Sequence, residues 1–409
     1  MQIITIIYTI MFFFGIYFLL VFLMLYFRNK SALYFYPEPK KFPSVTFLVP
    51  AYNEESSIGN TLKALLEIDY PKDKKEIIVI NDGSHDRTAE ITREFMKKHK
   101  EIKLLDKKNS GKADSLNQGI KIAKGELIAV SDADSYPEKD SLKKMVGFFE
   151  QEDDVAAVTS RVLVKNKTNF LEKFQAFDYA VIAWGRKILD FIDSVYVTNG
   201  PLSIYRKNVL NEVGGFDPKN LTEDIEVTWH ILSRGYKTRM SYPAIVYTSV
   251  PSKLKQWVNQ RVRWNLGGLQ TLNKYKSFCF KGKNAFGYFV ISYVGLAFFL
   301  ALVGFILMFR FIFLKTYFYL WTMPFLLKGY NPLEFLGFNF LVTILFILSS
   351  LFLLLSFVYY FLILKDTNLR AKGILTVIIY NFIYRPLYLI PLILAMYRLK
   401  KGNLGWYTK

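Results

Sequence analysis

The chain has 409 residues, of which 52% are hydrophobic and 17% aromatic, and its formal net charge is +19. Soluble globular chains are somewhat less apolar, so the composition indicates membrane segments. The positive charge favours a polyanionic partner such as a phosphorylated substrate, anionic lipid or nucleic acid. A single cysteine, Cys279, excludes an internal disulfide. The three histidines form no cluster, which argues against a zinc site of the usual histidine and cysteine type.

The N-terminal segment carries no charged side chain over its first 27 residues. This length is enough to cross the hydrocarbon core of a bilayer, which needs about 20 apolar residues. A secretory signal peptide would need a basic start, a shorter apolar run and a cleavage site with small residues. Residues 1–28 are therefore predicted to form an uncleaved membrane anchor. Arg28 and Lys30 follow, so the positive-inside rule predicts a cytoplasmic location for the next domain.

Residues 44–250 have the composition of a soluble domain in which short β-branched runs alternate with amphipathic helical patterns. The predicted strands are 45–52, 76–82, 102–106 and 126–132, and the predicted helices between them are 54–68, 86–100 and 112–123. This alternation predicts βαβ units and a mostly parallel sheet covered on both faces. The carboxyl ends of the strands then lie along one edge, where ligands bind. From Val155 onwards the sequence is more aromatic and less regular, which suits an extension on the side of a second substrate.

Residues 251–283 are predicted to form an amphipathic region at the membrane surface. A helix over 254–269 would carry an apolar stripe, formed by Leu254, Trp257, Val258, Val262, Leu266 and Leu269. The stripe is predicted to face the membrane, with Gln260, Arg263 and Trp264 together on the opposite face. Arginine and tryptophan are also common membrane anchors, but an anchor on the face opposite the apolar stripe would be unusual.

Membrane segments are predicted again in residues 286–397, in three stretches near 286–313, 335–364 and 373–397. Arg310 lies near the end of its segment and could reach the membrane surface. Arg385 lies deeper, where an arginine is costly unless it is paired or faces a cavity.

The predicted membrane topology contains a conflict. One segment before a cytoplasmic domain and three after it would place the C-terminus outside, whereas the basic tail, 398–409, favours the inside. Either one C-terminal segment is re-entrant or interfacial, or the number of segments is wrong. Pro386 and Pro391 make the last segment the first candidate, because proline interrupts a helix.

Carboxylates follow two of the predicted strands. Asp82 ends one strand, and Asp132 and Asp134 follow another, which places all three at the ligand-binding edge. On a regular strand Asp132 and Asp134 would point to opposite sides, so the backbone must bend if both face one site. Mg²⁺ is commonly bound by one or two carboxylates together with substrate phosphates. The pair therefore predicts a divalent-cation site, although Asp-x-Asp is also common in turns.

A helix predicted to begin after Thr222 carries Glu223 and Asp224 in its first turn. Ordinary helix capping explains this pattern, and the functional alternative is that Asp224 is a general base for an acceptor hydroxyl. Lys112 follows a glycine before another helix, but the spacing is not that of a P-loop. The chain also lacks Gly-x-Gly-x-x-Gly, which argues against NAD or FAD.

The order of these motifs resembles that of the processive family 2 inverting glycosyltransferases, which include cellulose, chitin, hyaluronan and bacterial poly-N-acetylglucosamine synthases. The matching segments are PAYNE (50–54), NDGS (81–84), GKADSLN (111–117), DAD (132–134), TED (222–224) and QRVRW (260–264). In length and layout the chain is most similar to the bacterial poly-N-acetylglucosamine synthases. The resemblance implies a GT-A-type nucleotide-sugar-binding domain with a mostly parallel sheet, interfacial helices and helical transmembrane segments.

The resemblance also implies a role for each matching residue. The implied contacts to the nucleotide sugar are Ala51, Tyr52, Glu54, Asp82, Lys112, Asp132, Gln260 and Arg263. Asp134 and Asp132 would bind Mg²⁺ or Mn²⁺. Asp224, beside Glu223, would be the base of a single inverting displacement, and Trp264 would hold the acceptor sugar. One departure is Asn81, because many relatives have a second acid at this position.

The function implied is transfer of a sugar from a UDP-sugar to a growing polysaccharide, with translocation of the chain, by a multi-pass protein of the cell membrane. The implied partners are the UDP-sugar, a polysaccharide or lipid-linked acceptor, membrane lipid and, as a further candidate, a small accessory membrane subunit. Nucleic acid is not expected, because phosphates and anionic headgroups account for the charge. The alternative is non-processive transfer of one sugar to a lipid carrier or glycolipid. A transporter with a nucleotide-binding regulatory domain is disfavoured by the missing P-loop.

Overall fold

A computed structural model describes residues 2–281, 285–328, 344–367 and 373–402. The strands are β1 (Val45–Ala51), β2 (Lys75–Asp82), β3 (Ile102–Lys107), β4 (Leu127–Val130), β5 (Ser135–Pro137), β6 (Val155–Val164), β7 (Ser203–Arg206) and β8 (Lys237–Thr248). The helices are α1 (Gln2–Asn29), α2 (Ile58–Leu66), α3 (Thr88–Lys98), α4 (Lys112–Ile122), α5 (Lys143–Val146), α6 (Phe148–Gln151), α7 (Phe170–Asp190), α8 (Lys207–Glu212), α9 (Glu223–Ser233), α10 (Leu254–Tyr275), α11 (Ile291–Leu326), α12 (Ile344–Asp366), α13 (Gly373–Ile379), α14 (Arg385–Leu387) and α15 (Leu389–Lys400).

The strands form one sheet in the order β3-β2-β1-β4-β7-β6-β8-β5. β1 is parallel to both β2 and β4, and β3 is parallel to β2, so the predicted mostly parallel sheet is confirmed. β7 is antiparallel to β4 and β6, and β5 is antiparallel to β8. The parallel half forms from continuous β-branched and aliphatic runs, which is typical of strands buried on both faces.

The edge that receives the ligand follows from this topology. Phe47, Leu48 and Val49 of β1 are fully buried, and apolar clusters cover the sheet on both sides. Because β1, β2 and β4 are parallel, their carboxyl ends meet at one edge of the sheet. β4 ends at Val130, earlier than predicted, because the chain turns before β5.

Four helical segments among the described residues are long and apolar enough to cross a membrane: Ile3–Ala32, Phe286–Pro324, Ile344–Asp366 and Leu375–Lys400. Their positions coincide with those of the predicted anchor and the three later segments, but the second segment is longer than predicted. Insertion of these helices in a membrane stays a prediction. Residues 335–343 of the third prediction, and 403–409 of the tail, lie outside the described residues. The last segment is interrupted by a π-helical turn at Tyr380–Tyr384. The membrane side on which the C-terminus lies stays a prediction.

Helix α10 differs from the prediction for its apolar stripe. Trp257, Val262 and Leu266 are at most 2% exposed, so these residues do not face the membrane. Val262 and Leu266 pack in one cluster with Ala395 of α15. The indole nitrogen of Trp257 donates a hydrogen bond to the Tyr384 hydroxyl at 3.0 Å. The prediction was wrong here because the last membrane segment folds back onto α10, a contact that the periodicity of one helix does not reveal.

Gly267 of α10 fixes the distance between α10 and α9. A Cβ at this position would lie 2.1 Å from the Thr222 hydroxyl. We therefore expect Gly267→Ala to push α10 away from the start of α9, destabilise the fold by about 1–3 kcal/mol and reduce turnover strongly. Gly268→Ala is the matched control, because its Cβ would meet only the Phe298 ring edge, at 3.3 Å. The test is to measure thermal unfolding and sugar transfer for both variants. Equal effects of the two substitutions would contradict the role of Gly267 in setting the distance between α10 and α9.

Candidate active site

A cavity of about 2310 Å³ begins at the carboxyl edge of the sheet and continues between the membrane helices. All the predicted site residues line it: Ala51, Tyr52, Glu54, Asp82, Lys112, Asp132, Asp134, Glu223, Asp224, Gln260, Arg263 and Trp264. Its membrane wall is formed by α1, α11, α12 and the segment 380–392. The structure thus brings the candidate residues together, while their individual roles stay predictions.

Lys112, the first residue of α4, lies at the centre of the charged wall. Its Nζ is 2.6 Å from Asp132 Oδ1 and 2.8 Å from Glu223 Oε1. Burial disfavours the charge on this lysine, but Asp132, Glu223 and Asp224 outweigh it and raise the pKa of Lys112 above its ordinary value. The lysine therefore stays cationic and joins the end of β4 to the start of α9.

Asp132 and Asp134 both line the cavity because the chain turns between them. The amide of Ser135 donates to the carbonyl of Asp132 at 3.1 Å, which supplies the bend that the sequence required. Burial raises the pKa of Asp134 to about 7, and the nearby Asp132 and Glu54 add to this rise. The ionised form of Asp134 is therefore unfavourable, and a bound cation would stabilise it. Asp132 and Asp134 thus fit a divalent-metal site.

The possible metal ligands are few. Among the residues that the structure describes, no three His, Cys, Asp or Glu side chains converge as a metal site. A metal held by Asp134 and Asp132 would complete its coordination with phosphate oxygens and water, as is usual for Mg²⁺.

Asp224 is the second residue of α9 and lines the cavity. Burial and the neighbouring Glu223 raise the pKa of Asp224 to about 6, while Lys112 and Arg263 oppose the shift. A carboxylate with this pKa is ionised at neutral pH and still basic enough to accept a proton. Glu223 behaves differently, because Lys112 and Arg263 outweigh its burial and lower the pKa of Glu223.

Helix capping accounts only in part for the residues at the start of α9. Thr222 occupies the N-cap position of α9, but its side chain caps no backbone amide. Its hydroxyl donates instead to Asn220 Oδ1 at 3.2 Å. The acids that follow are still favoured by the helix dipole.

Asp82 has a structural function that the sequence did not suggest. Its Oδ1 accepts hydrogen bonds from the Lys107 ammonium and, at 2.9 Å, from the Ser110 amide. Its Oδ2 accepts from the Gly111 amide at 2.9 Å. This carboxylate therefore holds the loop that leads into Lys112, and a uridine contact would be made in addition to these bonds.

Arg261, which sequence reasoning missed, holds the polar face of α10 in place. It is 1% exposed, and its guanidinium lies 3.2 Å from Asp178 Oδ2 and donates to the Tyr388 hydroxyl at 2.8 Å. It also donates to Gln260 Oε1 at 2.7 Å, and its central carbon lies 4.0 Å from the centre of the Trp264 ring. The signal in the sequence was a charged residue one turn after Trp257, on the apolar side of the helix.

Gly200 was also missed. A Cβ at this position would lie 2.8 Å from Asp132 Oδ2 and 2.8 Å from Lys112 Nζ. Only glycine leaves room for the ion pair, and a contact between such distant segments leaves no pattern in the sequence.

Residues 43–267 match the family described as glycosyltransferase like family 2. The chain belongs to this family. It is 32% identical over 382 residues to a probable glycosyltransferase, YdaM, of Bacillus subtilis, an alignment that covers 90% of this chain and 87% of YdaM. It is also 33% identical over 267 residues to a poly-β-1,6-N-acetyl-D-glucosamine synthase of Staphylococcus epidermidis. That alignment covers 62% of this chain and 64% of the synthase, so it spans slightly less than two thirds of the relative.

The solved structure of the mannosyltransferase PcManGT from Pyrobaculum calidifontis, in complex with GDP-mannose and Mn²⁺, has a similar fold. The TM-score is 0.58 at 25% sequence identity, and the match covers 74% of this chain and 81% of the mannosyltransferase. This agrees with the GT-A-type domain that the resemblance implied. Together with the four long apolar helices, the family membership indicates a multi-pass membrane glycosyltransferase.

The raised pKa of Asp224 gives a pH test of the base. An acid with a pKa of about 6 is deprotonated above that pH, so we expect the transfer rate to fall as the pH drops through 6. Asp224→Asn should lower transfer by about 10²–10⁴-fold while nucleotide binding remains. Glu223→Gln removes one cause of the raised pKa and should move the acidic limb to lower pH. A wild-type rate that stays constant well below pH 6 would contradict the role of Asp224.

The buried ion pair of Arg261 gives a second test. Asp178→Asn leaves the arginine without its anion, which costs about 3–5 kcal/mol for a buried pair. Asp190→Asn is the matched control, because Asp190 lies on the same helix and pairs with Lys187 at 2.7 Å. The side chains of Asp178 and Asp190 are buried to a similar extent. We expect both variants to lose stability, but only Asp178→Asn to lose transfer per folded molecule. Equal losses of transfer would show that Arg261 has no special relation to the site.

Proposed function

We propose that this protein transfers sugar from a UDP-sugar to a growing polysaccharide with inversion at the anomeric carbon. The observation that carries the proposal is the single cavity that joins the site of Lys112 and Asp224 to the membrane helices. An acceptor chain can therefore extend from the base into the membrane without leaving the protein. The relatives named as poly-β-1,6-N-acetyl-D-glucosamine synthases support a polymer product and make N-acetylglucosamine the first sugar to test.

Charge in the site suits departure of a nucleoside diphosphate. Arg263 and Gln260 lie on the cavity wall contributed by α10, where they can bind the diphosphate, and Lys112 adds a second cation. Asp134 and Asp132 would hold Mg²⁺ or Mn²⁺, which would neutralise charge on the leaving diphosphate. The Mn²⁺ in the complex of the mannosyltransferase supports a divalent metal but does not distinguish the two ions.

The acceptor side begins at Asp224. Its carboxylate would take the proton of the acceptor hydroxyl as that oxygen attacks the anomeric carbon, and the nucleoside diphosphate would leave from the opposite face. Trp264 lines the same cavity and would stack on the acceptor sugar. Its ring is held by the buried Arg261 guanidinium. The catalytic domain would lie in the cytoplasm, as the basic residues after the first span favour.

The second candidate is transfer of one sugar to a lipid carrier or glycolipid. The observation in its favour is that the cavity is lined over much of its length by membrane helices, where a lipid acceptor could enter.

One experiment on isolated membranes separates these functions. The membranes are incubated with Mn²⁺ and one labelled donor at a time: UDP-N-acetylglucosamine, UDP-glucose, UDP-glucuronate, UDP-galactose or GDP-mannose. High-mass material is then separated from the lipid extract. We expect label from a UDP-sugar in the high-mass fraction, and no label with excess chelator or in Asp224→Asn membranes. Label found only in the lipid extract would support the second candidate, and incorporation from GDP-mannose alone would contradict the proposed donor.

A further inference from the structure

The charges that line the cavity are separated into two regions. Around the proposed donor site the lining carboxylates outnumber the cations Lys112 and Arg263; they are Glu54, Asp82, Asp132, Asp134, Glu223 and Asp224. Towards the membrane helices the balance reverses. In the parts of the chain that the structure describes, the charged residues of that region are Arg186, Arg385 and a single carboxylate, Asp178.

Asp178 is already used within the protein. Its Oδ2 is 3.2 Å from the guanidinium of Arg261, which is buried, and it also accepts a hydrogen bond from the Tyr388 hydroxyl. Its Oδ1 accepts from the Tyr380 hydroxyl at 2.8 Å. The charge of Arg261 therefore balances that of Asp178. Asp178 is then not available to balance Arg186 and Arg385.

Arg385 lies near the middle of the membrane segment Leu375–Lys400 and lines the cavity. Its Nη1 donates a hydrogen bond to the hydroxyl of Tyr360, a buried and neutral partner, at 2.8 Å. A cation at this depth is expensive and is usually retained for a pathway or a ligand. The sequence already required that this arginine be paired or face a cavity, and the structure shows the cavity.

Arg186, on α7, lies nearer to the proposed base. It lines the cavity, is half-buried and donates to the side-chain oxygen of Asn199, which is also neutral. Burial lowers the pKa of Arg186, and Tyr196 and Asp224 offset this only in part. Asp224 therefore offsets part of the charge of Arg186, whereas the hydrogen-bond partner of Arg385 is neutral. The membrane-side region keeps a net positive charge that an anion would balance.

We propose that the acceptor carries a negatively charged group, which Arg385 and Arg186 bind on the membrane side of the cavity. The inference rests on the proposed function, because it concerns the acceptor of the same reaction. A carboxylate and a phosphate share the required chemistry, since each can accept two parallel hydrogen bonds from a guanidinium. Because the proposed acceptor is a growing polysaccharide, the group is the carboxylate of a uronate residue, so an acidic sugar would accompany any N-acetylglucosamine in the polymer. A lipid phosphate, which would belong to the second candidate function, is the alternative that the test separates.

Binding to the full-length protein in phosphatidylcholine nanodiscs tests the charge requirement directly. Two matched pairs of probes serve: an oligogalacturonate with a chito-oligosaccharide of the same length, and farnesyl phosphate with farnesol. We expect the oligogalacturonate to bind about tenfold more tightly than the chito-oligosaccharide or better, which is the size of a charge-assisted hydrogen bond. A charge preference confined to the farnesyl pair would overturn the uronate assignment and favour the lipid acceptor of the second candidate function. Equal affinities within both pairs would overturn the proposal.

Substitutions locate the site. Arg385→Gln should remove most of the preference for the anionic probe. Arg385→Lys should keep part of it, because lysine retains the charge but not the two parallel hydrogen bonds. Arg310→Gln is the matched control, since Arg310 is also an arginine within an apolar span but does not line the cavity. A preference that survives in both Arg385→Gln and Arg186→Gln would overturn the assignment to these residues.

Measurement of UDP affinity and sugar transfer in the same nanodiscs separates failure of this inference from failure of the proposed function. If UDP binds and sugar is transferred but the probes bind without regard to charge, the anionic acceptor is wrong and the proposed function stands. If none of the nucleotide sugars is bound or transferred, the proposed function fails first.

Discussion

One lysine side chain links the separate segments from which the active site is built. Lys112 begins α4, Asp132 follows β4 and Glu223 begins α9, and the lysine lies within 2.8 Å of both carboxylates. Carboxylates gathered in a buried site repel one another unless a cation balances them. Gly200 leaves the space in which this pairing occurs. The ion pairs therefore fix the start of α9, and with it Asp224, relative to the end of the parallel sheet.

Helix α10 relates this site to the membrane. One of its faces approaches the start of α9 closely because Gly267 has no side chain opposite Thr222, and another is covered by the last membrane segment. Arg261 lies between them, bound to Asp178 and to Tyr388. Since Arg261 also contacts Gln260 and Trp264, it links the last membrane segment to the residues proposed to hold the donor diphosphate and the acceptor sugar.

The sequence predicted the parts of this arrangement that arise from local patterns. Continuous β-branched runs between amphipathic helices predicted the parallel half of the sheet, and acids at strand ends predicted the ligand edge. The need for a bend between Asp132 and Asp134 also followed from strand geometry. The antiparallel insertion of β7 did not, because periodicity does not say which strand pairs with which. The pair of Arg261 and Asp178 is separated by 83 residues, and the burial of the apolar side of α10 depends on a segment more than a hundred residues later, so tertiary contacts decided both.

The most direct test of this account is a structure of the full chain in lipid nanodiscs with UDP and Mn²⁺. The account predicts the metal at Asp134 and Asp132, the diphosphate between the metal and Arg263, and Asp224 open to the part of the cavity that continues into the membrane. A diphosphate bound away from these residues, or a membrane helix closing the cavity between Asp224 and Arg385 in every conformation observed, would contradict the central claim that donor site and membrane path form one continuous site.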